Sequence, residues 1–204
     1  MKKQLVAAAI LSTLLSGSAF AQQTTEGSWM VRARAVHLQS DNGGGTNVPG
    51  LGDLGLSMNN KWMPEVDVSY FFSPNVAMEL VLTVPQKHTL YANGTDIGTF
   101  KHLPPTLLAQ YHFPMNGFKP YVGAGVNYTR FSSVNLKVPG ADIDRNSWGP
   151  ALQVGVDIPL SNGLYLNLDM KKVYIRTDVS LNGTKIGDFK ADPLLVGVGL
   201  GWRF

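Results

Sequence analysis

Hydrophobic and polar side chains alternate with a period of two along most of this chain. Eight runs show the pattern, and they begin near Trp29, Glu65, Ala77, Thr106, Val122, Ala151, Leu164 and Leu194. Successive side chains of a β-strand point to opposite faces, so each run indicates a strand with one apolar face. Helical spacing is not sustained for more than a few residues anywhere after position 21. The sequence therefore predicts an all-β fold.

The connectors between the runs alternate in length. Three are short, at residues 73–75, 114–119 and 159–163, and four are long, at residues 39–61, 86–103, 132–147 and 178–192. This alternation is typical of outer-membrane barrels, which have short periplasmic turns and long extracellular loops. An even number of strands also closes the sheet without a free edge. We therefore expect an eight-stranded antiparallel transmembrane β-barrel.

Aromatic residues on the apolar faces lie at both ends of the predicted strands. At the long-loop ends these are Trp62, Tyr128, Trp148 and Tyr174, and at the short-turn ends they are Trp29, Tyr70, Phe72, Tyr111, Phe113, Trp202 and Phe204. The step from Trp62 to Phe72 spans roughly 25 Å at a strand tilt near 40°, which is the height of the apolar band of such barrels. The apolar faces are therefore predicted to contact lipid.

The N-terminal segment has the features of a secretory signal peptide. Lys2 and Lys3 precede an apolar run, and Ala19-Phe20-Ala21 matches a cleavage site. We expect residues 1–21 to be removed and residues 22–204 to form one barrel domain. Without Lys2 and Lys3 the chain has 15 Lys and Arg against 14 Asp and Glu, a balance that disfavours nucleic acid as a partner. The predicted location is the outer membrane of a Gram-negative bacterium.

Five stretches of the chain resemble the OmpW family of small outer-membrane barrels. They are HLPPT at 102–106, KPYVGAGVNYT at 119–129, SWGP at 147–150, QVGVD at 153–157 and WRF at 202–204. The resemblance extends over the whole mature chain. It implies an eight-stranded barrel with a hydrophobic passage, implicated in taking small hydrophobic molecules across the outer membrane, and it brings no enzymatic activity.

Charged residues fall on the faces predicted to line the lumen. They are Arg32, Arg34, Glu65, Asp67, Glu79, Asp157, Asp169, Lys171 and Arg203. Buried charges must be paired, so we interpret the set as an ion-pair plug in the lower barrel, with a proton or ion path as the alternative. Lumen-facing glycines such as Gly199 are expected to make room in a narrow interior.

Two nearly identical loop segments begin with Asn-Gly, at Asn93-Gly94 and Asn182-Gly183. Asn-Gly between extended residues is a strong hairpin signal. We expect both hairpins to continue above the membrane as a collar. Candidate residues for the hydrophobic passage, in the first two loops and on the inner wall, are Leu51, Leu54, Leu56, Val81, Leu90, Ile97, Phe100 and Leu108.

Two prolines mark a weak point in the predicted wall. Continuing the register from the short turn at residues 73–75 places Pro64 opposite Val84 and Met63 opposite Pro85. Proline has no N–H to donate, so a ladder with two prolines at one height should be weak. A lateral exit for apolar solutes and an early end of both strands are the two readings of this seam.

The predicted function is the admission of small hydrophobic molecules, with lateral release into the outer leaflet. The alternatives are a small ion-conducting or stress-response structural barrel, and a surface adhesin or phage receptor. The four histidines match no catalytic Ser/His/acid set, so no enzyme, cofactor or metal site is expected. Expected partners are outer-membrane lipid and lipopolysaccharide, small apolar solutes, and the barrel-assembly machinery through the C-terminal strand ending in Phe204.

Overall fold

The computed structural model describes residues 27–42, 45 and 52–204. The predicted signal peptide and the candidate passage residue Leu51 lie outside these described residues. The described strands are β1 (Trp29–Gln39), β2 (Leu56–Met58), β3 (Lys61–Phe71), β4 (Val76–Thr83), β5 (Gln86–Ala92), β6 (Thr95–Leu103), β7 (Thr106–His112), β8 (Lys119–Leu136), β9 (Ala141–Ile143), β10 (Asn146–Ser161), β11 (Leu164–Val173), β12 (Arg176–Leu181), β13 (Thr184–Lys190) and β14 (Leu194–Arg203). Within this part of the chain, no helix is long and apolar enough to cross a membrane.

Eight of these strands close into one antiparallel barrel. The order around the wall is β1-β3-β4-β7-β8-β10-β11-β14, and β14 pairs again with β1. The predicted fold class is therefore confirmed. The predicted register across the 73–75 turn is also confirmed, because Tyr70 pairs with Met78 and Val66 pairs with Leu82.

The outward face of the wall is apolar and is bounded by aromatic rings at both ends. Trp62 and Trp148 are more than 60% exposed at the upper end, where Trp148 lies 4.8 Å from Tyr128 between ring centroids. At the lower end, the rings of Trp29 and Tyr70 are 4.9 Å apart. An apolar band between two aromatic girdles is the outer surface typical of β-barrels that span a bilayer.

The remaining six strands of the described chain form a collar above the upper girdle. The hairpin β5–β6 extends the barrel sheet, because β6 pairs with the upper half of β8. On the other side of this hairpin, β2 pairs with β5. The hairpin β12–β13 forms a small separate sheet with β9. Asn93, Gly94, Asn182 and Gly183 all have positive φ between 47° and 80°, so the two predicted Asn-Gly hairpins are confirmed.

The interior of the barrel is layered, and β1 crosses every layer. Its inward residues, from the periplasmic end upward, are Met30, Arg32, Arg34, Val36 and Leu38, all at most 3% exposed. Met30 packs in a small apolar cluster with Phe71, Ala77 and Tyr165. The two arginines mark a charged layer, and Val36 and Leu38 belong to a large apolar cluster above it.

Glycines of β14 leave space for the charged layer. A Cβ at Gly201 would approach the Cγ of Arg32 to 3.0 Å, and a Cβ at Gly199 would lie 2.0 Å from the Ala33 carbonyl oxygen. The strand can therefore pass close to β1 only because it lacks side chains at these positions. This arrangement agrees with the expectation that the lumen-facing glycines make room.

Candidate functional site

Arg32 lies at the centre of the charged layer. Its Nε and Nη2 donate to the two carboxylate oxygens of Asp157 at 3.1 and 2.6 Å. Its Nη1 donates to Ser69 Oγ at 2.7 Å and to Glu79 Oε2 at 3.1 Å, and it lies 3.4 Å from Asp67. The guanidinium thereby spans the lumen from β3 and β4 to β10.

Arg34 and Lys171 extend this network upward. Arg34 Nη1 is 2.9 Å from Glu65 Oε1 and 2.7 Å from Asp67 Oδ2. Lys171 Nζ bridges Glu65 and Asp169. Each of these side chains is at most 5% exposed, so the charges are held by one another in a space closed to bulk water.

These eight buried residues define the ionic plug: Arg32, Arg34, Glu65, Asp67, Glu79, Asp157, Asp169 and Lys171. The predicted ninth member, Arg203, lies nearer the periplasmic end. Its Nε donates to the Gly27 carbonyl at 2.7 Å, and its guanidinium lies 3.8 Å from the centroid of the Phe71 ring. Polar side chains complete the plug, since Gln153 donates to Glu79 and Asp169 and the Tyr121 hydroxyl donates to Asp169.

Above the plug, the buried side chains form one large apolar cluster, with neutral polar residues such as Thr106, Asn127 and Thr129 at its lower border. We call this region the upper compartment, and its buried members are Val36, Leu38, Leu56, Met58, Met63, Val81, Leu90, Phe100, Leu108, Phe131, Ile143, Ala151, Val173, Ile175, Val179, Phe189, Ala191 and Leu195. Five described candidates for the passage belong to it, namely Leu56, Val81, Leu90, Phe100 and Leu108, while Leu54 and Ile97 pack against it. The structure therefore brings together every described passage candidate.

A narrow cavity lies where the upper compartment meets the plug. Leu38, Met63 and Val81 form part of its wall, and Glu65 and Lys171 lie at its charged side. The cavity has room for no more than about one water molecule. A larger solute can occupy this level only if the apolar side chains around it move.

The wall beside this cavity is interrupted between β3 and β4. Their ladder ends at the pair Glu65–Thr83, although β3 continues to Lys61 along β1. None of the described ladders pairs Met63 or Pro64 with Val84 or Pro85. We call these four residues the seam.

The polar groups of the seam are largely satisfied without a ladder. Thr83 Oγ1 donates to the Pro64 carbonyl at 2.7 Å, and Gln86 Nε2 donates to the Val84 carbonyl at 2.9 Å. Pro64 and Pro85 have no N–H to leave unpaired. An open sheet edge is costly in hydrocarbon because of its unsatisfied backbone groups, and this seam has few of them.

The structure corrects one detail of the predicted seam. Extending the β3–β4 register places Met63 opposite Pro85 on one face, but Met63 is buried in the upper compartment whereas Pro85 is exposed. The chain turns from β4 into β5 at this point, which breaks the alternation of faces. Pro64 and Val84 are both exposed and are the pair that shares the outward face.

An aromatic cluster of the collar lies next to the cavity. The imidazoles of His88 on β5 and His102 on β6 stack at 4.7 Å between centroids with 9° between their planes. The ring centroid of Phe100 lies 5.9 Å from that of His88, and the ring centroid of Phe131 lies 6.4 Å from that of His102. Both histidines lie above the upper girdle. Burial lowers the pKa of His88 to about 4 and the pKa of His102 to about 3, and the positive charge of Lys61 favours the same direction.

Acidification is expected to loosen the β5–β6 hairpin. Its stability is complete above about pH 6.5, the ordinary histidine pKa, and declines as the pH falls toward the lowered values, because only the unfolded hairpin takes up protons in that interval. The rate of amide hydrogen exchange in β5 and β6, corrected for intrinsic rates and compared with that in β11, should increase as the pH is lowered from 6.5 to 4. The double substitution His88→Phe and His102→Phe should abolish the increase. The same increase in that variant would contradict this assignment.

Several residues of this region are not evident from the sequence. The pattern predicts that His88 and His102 flank one long loop, but not that their rings stack. Three further residues also reach the upper compartment: Phe131 from β8, Ile175 from the connection between β11 and β12, and Phe189 from β13. The period-two alternation continues past Tyr128 and Tyr174, and this continuation is the signal that could have indicated Phe131 and Ile175. Among the described residues, no three His, Asp or Glu side chains converge as metal ligands would.

Comparisons with known proteins agree with this architecture. The model of the OmpW family matches residues 25–204. Outer membrane protein W of Escherichia coli strain K12 is 35% identical over 216 aligned residues that cover both chains completely. The dibenzothiophene metabolism operon protein PahQ of Pseudomonas aeruginosa is 32% identical over 160 residues, which cover 74% of this chain and 69% of that protein.

The fold is also similar to a solved structure. The crystal structure of the outer membrane protein OprG from Pseudomonas aeruginosa matches with a TM-score of 0.77 and 27% identity, and the match covers 88% of this chain and 97% of OprG. Together with the lipid-facing girdles, these matches place the protein in the outer membrane of a Gram-negative bacterium. The chain therefore belongs to the OmpW family of outer-membrane β-barrel proteins.

Proposed function

We propose that this protein admits small hydrophobic molecules through the lipopolysaccharide layer and releases them sideways into the outer leaflet. The solute enters the collar from outside and passes into the upper compartment. It leaves through the seam, between the upper part of β3 and the turn from β4 into β5. Lipopolysaccharide sugars obstruct apolar solutes, so a protein route with apolar walls bypasses that obstacle.

The layering of the lumen is the observation that carries this proposal. Eighteen buried apolar residues of the described chain surround the upper route, and the ionic plug closes the lower one. An apolar solute moving downward would have to separate buried charges from their partners, which is strongly unfavourable. The side of the barrel is therefore the less costly exit.

The seam supports the direction of release. Met63 contributes to both the cavity wall and the seam, so the apolar interior reaches the gap in the ladder. Val84 is 56% exposed on the outer side. A solute displaced from the cavity would therefore move from one apolar surface to another, just below the Trp62 girdle.

The name of one relative adds a separate line of support. PahQ is designated a protein of a dibenzothiophene metabolism operon. Dibenzothiophene is an apolar aromatic molecule of small size. A role in handling molecules of that class is consistent with the apolar upper compartment of the present chain.

Deletion of the gene is expected to slow the entry of naphthalene more than the entry of arabinose. The initial uptake rates of the two labelled compounds would be compared in wild-type cells, deleted cells and complemented cells. Selective loss of naphthalene entry, restored by complementation, is the expected result. Equal effects on both compounds would indicate general damage to the membrane, and no effect on either would favour an adhesin or receptor. Ion conductance in planar bilayers without any effect on naphthalene would favour an ion channel.

A further inference from the structure

His88 and His102 are polar side chains inside an otherwise apolar aromatic cluster. They are 1% and 2% exposed. Their rings stack on each other, His88 also stacks on Phe100, and His102 meets Phe131 edge to face. The Nε2 atoms of both rings are buried and have no hydrogen-bond partner within the described residues. Buried polar atoms in proteins are almost always paired, so two unpaired nitrogens at one place are unusual.

The hydrogen bond of the other ring nitrogen fixes the chemistry of His88. Its Nδ1 lies 3.1 Å from the carbonyl oxygen of Asn59. A carbonyl can only accept, so Nδ1 carries the proton and donates. Nε2 of His88 is then an unprotonated acceptor, and the low pKa of the ring keeps it so at neutral pH. The atom is suited to receive a hydrogen bond from an O–H group.

The position of the pair connects it to the solute route. His102 forms part of the cavity wall, together with Pro104 and Met63, so the pair lies beside the space through which a solute would leave. The rings are nearly parallel, so their nitrogens do not converge on one point as the ligands of a metal ion would. Two phenylalanines could form a similar aromatic stack, at a slightly larger volume, without leaving polar atoms unpaired.

We propose that His88 and His102 form a polar anchor in the upper compartment, which retains apolar solutes that carry one hydroxyl group, such as phenols and long-chain alcohols. The anchor rests on the proposed function and refines its substrate class. The hydroxyl donates to an imidazole Nε2 while the apolar part of the solute packs against Phe100 and Phe131. Solutes without a donor still enter the upper compartment but are held less strongly.

Three naphthalene derivatives of similar size test the anchor in the purified, detergent-solubilised barrel. We expect 1-naphthol to bind roughly fivefold more tightly than 1-methoxynaphthalene or naphthalene, as one net hydrogen bond would give. In the double variant His88→Phe and His102→Phe, the affinity for 1-naphthol should fall to that of the same variant for the ether, so that the preference for the hydroxyl disappears. His37→Phe is the matched control, because His37 packs on Trp62 and lies away from this cluster.

A second measurement uses the unaltered protein, so the test does not depend on the folding of a variant. Imidazole ¹⁵N signals would be followed by NMR during titration with 1-naphthol, and the unprotonated Nε2 signal should shift, whereas the ether should leave it in place. Equal affinities for naphthol and ether, with an unmoved signal, would overturn the anchor and leave the proposed function standing. Failure of all three compounds to bind would contradict both.

Discussion

Replacing Arg32 with methionine is expected to lower the free energy of unfolding by about 3–5 kcal/mol. The substitution removes both donors to Asp157 and the donors to Ser69 and Glu79, yet those groups remain buried. Asp157 still accepts a hydrogen bond from Asn167 at 2.8 Å, but a buried carboxylate that loses the arginine paired with it carries a large desolvation penalty. Unfolding by guanidinium in detergent micelles, followed by the shift in gel mobility between folded and heated barrel, would measure the loss.

Two further variants separate this effect from the general loss of an arginine. Arg176→Met removes an ion pair with Asp192 at 3.3 Å from the extracellular side, where the arginine side chain is 55% exposed, and should cost less than about 1 kcal/mol. The double variant Arg32→Met and Asp157→Asn should recover part of the lost stability, because the carboxylate that lacks its partner is neutralised. An Arg32→Met barrel as stable as the wild type would show that the plug does not hold the lower barrel together.

The membrane part of the fold could be predicted from the sequence because lipid imposes a strict rule on every strand. Each outward position must be apolar, so the alternation identifies the two faces of a strand such as β1 without any knowledge of its neighbours. The short 73–75 turn then fixes the register of β3 and β4. That register places Val66 beside Leu82, as the structure does.

The collar could not be predicted in the same detail. Above the girdle no lipid constrains the faces, and pairing there depends on segments far apart in the chain. The strand β2 pairs with β5, and β9 pairs with β12, across separations that no local pattern indicates. The two Asn-Gly turns were the exception, because their backbone geometry is determined by the residues themselves.

The candidate site could be predicted only in part: its apolar residues were identified, but the contacts between them were not. Apolar loop residues such as Leu90 and Phe100 stand out by composition, and the structure gathers them in one cluster. The stacking of His88 on His102 is a tertiary contact between two strands of a hairpin whose register includes a bulge near Leu90, so counting along the sequence could not give it. The predicted face of Pro85 was wrong because the chain bends where β4 passes into β5, and the sequence pattern does not reveal this bend.

Closing the seam is expected to reduce the entry of naphthalene to the rate of cells that lack the protein. Pro64 and Val84 are both exposed on the outer face and flank the gap, so cysteines at these two positions can be bridged by a short thiol-reactive linker or by oxidation. The bridge holds the two sides together where no ladder does. A solute in the upper compartment then meets a closed wall and the ionic plug below it.

A matched pair of cysteines at Val66 and Leu82 controls for the chemistry of the bridge. These residues are also exposed, but they face each other in the intact ladder just below the seam. A bridge there ties strands that are already paired. It should therefore leave the entry of naphthalene unchanged.

The most direct measurement is the rate of naphthalene entry into cells that carry Pro64→Cys and Val84→Cys, before and after dithiothreitol is added to the oxidised protein. We predict that entry is blocked while the disulfide is intact, returns on reduction, and is unaffected in the Val66→Cys and Leu82→Cys control. Undiminished entry through a folded barrel whose seam is fully bridged would contradict lateral release.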